Sequence, residues 1–73
     1  MVHISFLGKD PESADDGSPT LFATDRTDRK TYLVQGWVVS DPQALAELGE
    51  LPPGEAVVEI PADILQFAQE AGR

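Results

Sequence analysis

The sequence predicts an α+β fold: a small antiparallel sheet of about four strands, in the element order β-β-β-α-β-α, with a C-terminal helix packed on one face. Three observations carry this expectation. Near the N-terminus apolar and polar residues alternate with a period of two, as a half-buried strand requires. Two proline-led stretches, "SDPQALAEL" and "PADILQFAQEAG", pair helix-start chemistry with apolar residues at helical spacing. The connections among the first three strand-like runs favour an antiparallel meander, and the last helix is long enough to lie across it.

Taken in order, residues 2–7 place Val2, Ile4 and Phe6 on one face of a strand and His3 and Ser5 on the other. Residues 8–19, "GKDPESADDGSP", hold two prolines, two glycines and four acids, and read as a loop. "TLFAT" (20–24) is a second strand, and "DRTDRK" a polar hairpin connection without the Asn-Gly or Asp-Gly that would fix its turn type. Residues 31–39 form the third strand. A helix over 42–48 opens at Pro42, capped either by Ser40, with Gln43 at capping-box spacing, or by Asp41 alone; Gly49 stops it. "ELPPGE" is forced into an extended turn, because a residue that precedes proline is pushed out of the helical region. "AVVEI" (56–60) is the fourth strand, pairing with the first or the third. Pro61 opens the final helix, whose apolar stripe is Ile64, Leu65, Phe67, Ala68 and Ala71 and which ends at Gly72.

The third strand is the most apolar run, "YLVQGWVV", and it is apolar on both faces. Leu33, Trp37 and Val39 point one way; Tyr32, Val34 and Val38 point the other. Such a strand needs cover on two sides, yet only one helix of useful length is available. The 42–48 helix, a loop or a second protein has to supply the rest. Gly36 weakens the strand by roughly 0.5–1 kcal/mol relative to alanine. It is either a bulge that re-aims Trp37 or a point where another segment approaches the bare backbone. Trp37 reads first as core packing, with a partner anchor as the rival.

A chain of 73 residues forms one domain, spanning 1–73. A core of this size rarely supplies more than about 3–5 kcal/mol net without a staple. With no cysteine there is no disulfide or thiolate site, which leaves oligomerisation or a partner. Thirteen acidic residues against five basic ones give a net charge of −8. That balance opposes direct binding to nucleic acid or to anionic membrane. The 25–30 segment carries +1, leaving −9 elsewhere. No 18-residue apolar stretch is present and the N-terminus lacks a signal-peptide pattern, so the expected location is cytoplasmic.

Chemistry is sparse. His3 is the lone histidine, with no second one for a zinc site and no visible dyad partner. Asp10, Glu12, Asp15 and Asp16 lack the alternation and closing glutamate of a calcium loop. The serines have no nucleophile-elbow context, and the glycines form no phosphate-binding pattern. The expectation is a protein that is not an enzyme and carries no cofactor or metal.

The segments "FLGKDPES", "GSPTLFATD", "LVQGW" and "LPPGEAVVEIPADI" occur in that order and cover most of the chain. In them the chain resembles a group of small uncharacterised actinobacterial proteins with the pattern Phe-Leu-Gly-x-Asp-Pro, Ser-Pro-Thr, Gln-Gly-Trp and Glu-Ala-Val-Val-x-x-Pro. The resemblance implies a gene neighbourhood of helix-turn-helix regulators, and it carries over no activity, ligand or catalytic residue. Glu59 and Asp63 stand where basic residues are expected in that group, which removes a basic stripe from around the last helix.

The functional expectation is protein–protein contact. An apolar patch of Tyr32, Gly36 and Trp37 docks a partner, and Asp10, Asp15 and Asp16 steer a basic surface towards it. A basic helix-turn-helix regulator is the candidate partner, since an acidic protein there would compete with DNA. The alternatives are a structural homodimer within a larger assembly and a small-ligand binder with a pocket between helix and sheet.

Overall fold

In the computed structural model, which describes residues 1–12 and 19–71, strand β1 spans Ile4–Lys9, β2 Thr20–Thr24 and β3 Tyr32–Gln35. These three form an antiparallel meander in the order β1-β2-β3. A second ribbon pairs β4 (Trp37–Val38) with β5 (Val58–Glu59), also antiparallel. Between its strands lies α1 (Pro42–Leu48). After β5 a 3-10 turn, η1 (Ala62–Leu65), runs into α2 (Gln66–Ala71). The architecture is α+β with antiparallel pairing throughout, as expected, but the single sheet of about four strands is replaced by two smaller sheets.

The division falls at Gly36. A Cβ built there would lie 2.6 Å from the Glu59 carbonyl oxygen, 2.8 Å from Ile60 Cγ2 and 3.0 Å from Val58 Cγ2. No bulge re-aims Trp37. The bare backbone lets the end of β5 come against the chain, and the apolar run that reads as one strand over 31–39 becomes two, each serving a different sheet. The fourth predicted strand therefore pairs with the second half of the third: Trp37 faces Glu59 and Val38 faces Val58.

The first strand begins two residues later than its alternation suggests and runs on to Lys9. Phe6 pairs with Phe22, but Gly8 pairs with Leu21, so Leu7 is the extra residue of a bulge. Before the strand, the His3 carbonyl accepts from Asp25 N–H at 3.1 Å and Asp25 Oδ1 accepts from His3 N–H at 2.9 Å. This pins the N-terminus to the end of β2.

Cross-strand pairing assigns the faces. Leu21 and Ala23 share one face with Gly8, Ser5, Tyr32 and Val34; Phe6, Phe22 and Leu33 form a row across the other, with Ile4 and Thr24 beside it. The η1–α2 segment covers the first face. Ile64 is fully buried and Leu21 is 5% exposed, and these two are the buried large hydrophobic residues among those described. Phe67 of α2 lies on Gly8, where a Cβ would meet its ring at 2.6 Å. Leu65 is the departure from the expected stripe: it is 61% exposed. The helix begins as a 3-10 turn with three residues per turn rather than as an α-helix from Pro61, which moves Leu65 away from the sheet beside a buried Ile64.

Helix α1 starts as the proline signal requires. Asp41 is its cap, with Oδ1 accepting from Gln43 N–H at 3.0 Å. It stops at Gly49, whose φ is 71°. No residue of α1 is buried.

Candidate functional site

Among the described residues, the sequence-predicted site residues do not converge. Asp10 is buried, at 4% exposure. Its N–H donates to the Pro19 carbonyl at 2.8 Å, and its Oδ1 accepts from Glu12 N–H at 3.1 Å. An aspartate held this way fixes a turn; its carboxylate is not at the surface where a steering charge would act. Asp15 and Asp16 lie outside the described residues. Tyr32 is half-buried on the covered side of the first sheet, and the Lys30 ammonium sits 5.7 Å from its ring centroid. Gly36 is packed by its own chain. Trp37, read first as core, is 48% exposed, and the break at Gly36 puts it in a different sheet from Tyr32.

Two other surfaces stand out. The first is an open groove of about 600 Å³ between α1 and the β4–β5 ribbon. Ala44, Glu47 and Leu48 form its helical wall; Val39, Val57, Val58 and Glu59 form the strand wall, and Asp41 sits at the helix start. Only Val39 and Ala44 among these are even partly buried. Apolar side chains line the floor, and three exposed carboxylates, those of Asp41, Glu47 and Glu59, share the lining. Gln43 Nε2 donates to Glu47 Oε2 at 2.7 Å, one helical turn apart. Residues 31–72 contain neither lysine nor arginine. Every formal charge in this stretch is therefore negative.

The second surface is the outer face of the β1–β2–β3 sheet. Phe6 is 62% exposed, Ile4 51% and Leu33 48%. Phe6 and Phe22 meet edge to face, with centroids 6.4 Å apart and planes at 75°.

The chain exposes 5881 Å², against about 4,400 Å² for a compact monomer of its 7.9 kDa mass, an excess of about 1,500 Å². Its radius of gyration, 13.8 Å, exceeds the roughly 11 Å of a compact domain this long.

Among the described residues no group of three or more His, Cys, Asp or Glu side chains is placed to hold a metal ion, and no helix is long and apolar enough to cross a membrane. Comparison of the chain with protein-family models, curated proteins and solved structures gave no match.

The groove escapes a reading of the sequence because it forms between segments about ten to fifteen residues apart. Two signals for it were present. A two-turn helix is too short to bury its own leucines, and every charge after Lys30 and before Arg73 is negative.

Proposed function

We propose that this chain is a non-enzymatic interaction module whose groove between α1 and the β4–β5 ribbon receives a basic amphipathic helix from a protein partner. The observation that carries this reading is that α1 buries none of its residues while forming one wall of an apolar groove. Isolated helices shorter than about 12 residues are marginal in water, and so are isolated two-stranded ribbons. A seven-residue helix beside a ribbon of two-residue strands gains its missing burial when an apolar surface fills the space between them. The carboxylates of Asp41, Glu47 and Glu59 then select a partner with Lys or Arg flanking its apolar stripe.

A basic DNA-binding regulator has that chemistry, and the resemblance to proteins encoded beside helix-turn-helix regulators supports it as the partner class. Small-ligand binding is the weaker reading. Sites for small molecules bury about 70–90% of the ligand, whereas six of the eight groove residues are themselves exposed.

Calorimetric titration with a designed helical peptide carrying Leu at i, i+3, i+4 and i+7 and Lys elsewhere tests the proposal. Binding is expected, weakening about tenfold or more between low salt and roughly 0.5 M. It should be lost with Leu48→Ser or with Glu47→Lys combined with Glu59→Lys. Equal binding of the same peptide with Glu in place of Lys, or no binding of either, would overturn the reading.

A further inference from the structure

We infer that Ala44 decides what the groove accepts: its methyl group leaves room for one large aliphatic side chain of the partner helix, and a bulkier residue there closes the site. The inference rests on the groove reading and adds to it the position at which the partner is anchored. Three observations lead to Ala44.

The first is spacing. Asp41, Ala44 and Leu48 lie three and four residues apart, which puts them on one face of α1, and all three line the groove. The helical wall thus presents a carboxylate at one end, a leucine at the other and a single methyl group between them. Leu45, the other leucine of this helix, is not part of the lining.

The second is depth. Val39 and Ala44 are half-buried, and the other lining residues are exposed. In an open cleft the least exposed lining residues mark the floor, so the floor lies between Val39 on the strand side and Ala44 on the helix side. Ala44 is also the smallest side chain of the lining. A side chain that enters the groove from outside reaches furthest at this point.

The third is the packing that alanine forgoes. Helix α1 buries none of its residues. Leucine has nearly the same helix propensity as alanine, and at position 44 its additional carbons would lie against Val39, Val57 and Val58, the apolar residues of the opposite wall. The chain therefore carries its smallest lining residue where a larger one would fill the groove from within and stabilise the fold. Packing left undone in this way is what a site for another molecule's side chain requires. The group that fits is a leucine or methionine pointing down from a helix. The carboxylates of Asp41, Glu47 and Glu59 are exposed and stay available to the cations flanking that anchor.

Ala44→Leu tests the inference, because it supplies from within the apolar group that the partner would insert. Stability and binding should move in opposite directions. The thermal midpoint should rise by about 4 °C or more, while affinity for the Leu/Lys helical peptide falls at least tenfold. Peptides with each leucine singly changed to alanine locate the anchor. On the unmodified chain one of them, at i+3 or i+4, should bind at least tenfold more weakly than the parent, and that same shortened peptide should bind Ala44→Leu better than the parent does. Ala44→Met repeats the test with a more pliable side chain. Ala46→Leu, at an exposed position outside the lining, should leave peptide binding unchanged. Undiminished binding of the parent peptide by Ala44→Leu would overturn the inference, as would weakened binding with no reversal of preference between the two peptides. In either case binding by the unmodified chain leaves the groove reading standing, whereas its failure to bind any of the peptides would sink both.

Discussion

The ring of Phe67 lies directly on Gly8: a Cβ at that glycine would be 2.6 Å from Cγ and Cδ1 and 2.7 Å from Cδ2. Three ring atoms at nearly the same distance mean that the residue meets the ring face and not its edge. Gly8 is buried and occupies the inner face of β1 just past the bulge at Leu7, so this contact joins α2 to the sheet.

Gly8→Ala forces the ring, and α2 with it, off the sheet. The expected loss is about 1–3 kcal/mol, the usual range for overpacking, read as a lower denaturant midpoint. Phe67→Ala removes the same contact from the other side. The two changes should be strongly non-additive, with the double variant little worse than Phe67→Ala alone. Additive losses would show that the two residues act separately.

Gly36→Ala meets backbone instead of a side chain. The Glu59 carbonyl oxygen, 2.6 Å from the new methyl, belongs to the ribbon and cannot rotate away. The expected result is loss of β4–β5 pairing with the three-stranded sheet retained. Trp37 is the sole tryptophan and lies on β4, so its emission should change well before the bulk of the far-UV signal does.

Most of the elements were legible from local chemistry, and their assembly was not. The Asp41–Pro42 start and the Gly49 stop of α1 are written in residues that satisfy or terminate the helix backbone themselves, and β2 matches its expected span, Thr20–Thr24. The split at Gly36 depends on Glu59, more than twenty residues away, and no local pattern encodes that approach. Likewise the four acids of the 8–19 loop look equivalent in sequence. Only the fold shows that Asp10 is buried and that its N–H bonds the Pro19 carbonyl. The doubly apolar 31–39 run is left exposed at Leu33, Val34, Trp37 and Val38. The run itself could not say that this exposure would be divided between two sheets.

Ile64 and Leu65 are neighbours in the same predicted stripe and should behave oppositely. Ile64 is fully buried, and truncation of such a residue costs about 2–5 kcal/mol. A chain this small has about that much stability in total, so Ile64→Ala should be largely unfolded at room temperature. Leu65→Ala, at 61% exposure, should shift the thermal midpoint by no more than a degree or two. Circular dichroism melts of the two variants decide the matter.

Asp10→Ala removes the acceptor for Glu12 N–H from a buried position. A loss of about 1–3 kcal/mol is expected, with Asp10→Asn recovering much of it because the amide oxygen still accepts. The salt dependence of peptide binding to the groove should be unchanged in both. A flattened salt response in Asp10→Asn would restore this residue to the role of a steering charge.

Hydrogen exchange distinguishes the two halves of the molecule most directly. Strands β1, β2 and β3 are anchored by Leu21 and Ile64, so their amides should open only with global unfolding. Helix α1 has nothing buried to hold it, and its amides, including the Leu45 N–H that bonds the Asp41 carbonyl at 3.0 Å, should exchange through local opening close to the unprotected rate. Filling the groove with the basic amphipathic peptide supplies the missing apolar contact to Ala44 and Leu48, and α1 protection should rise at least tenfold while β2 changes little. Leu48→Ser tests the cause. Leu48 is 43% exposed, so this variant should leave global stability within about 0.5 kcal/mol of the unmodified chain and abolish the peptide-induced protection. If α1 proves as protected as β2 in the free chain, the helix is held by packing within the molecule itself, and the argument that a partner completes it fails.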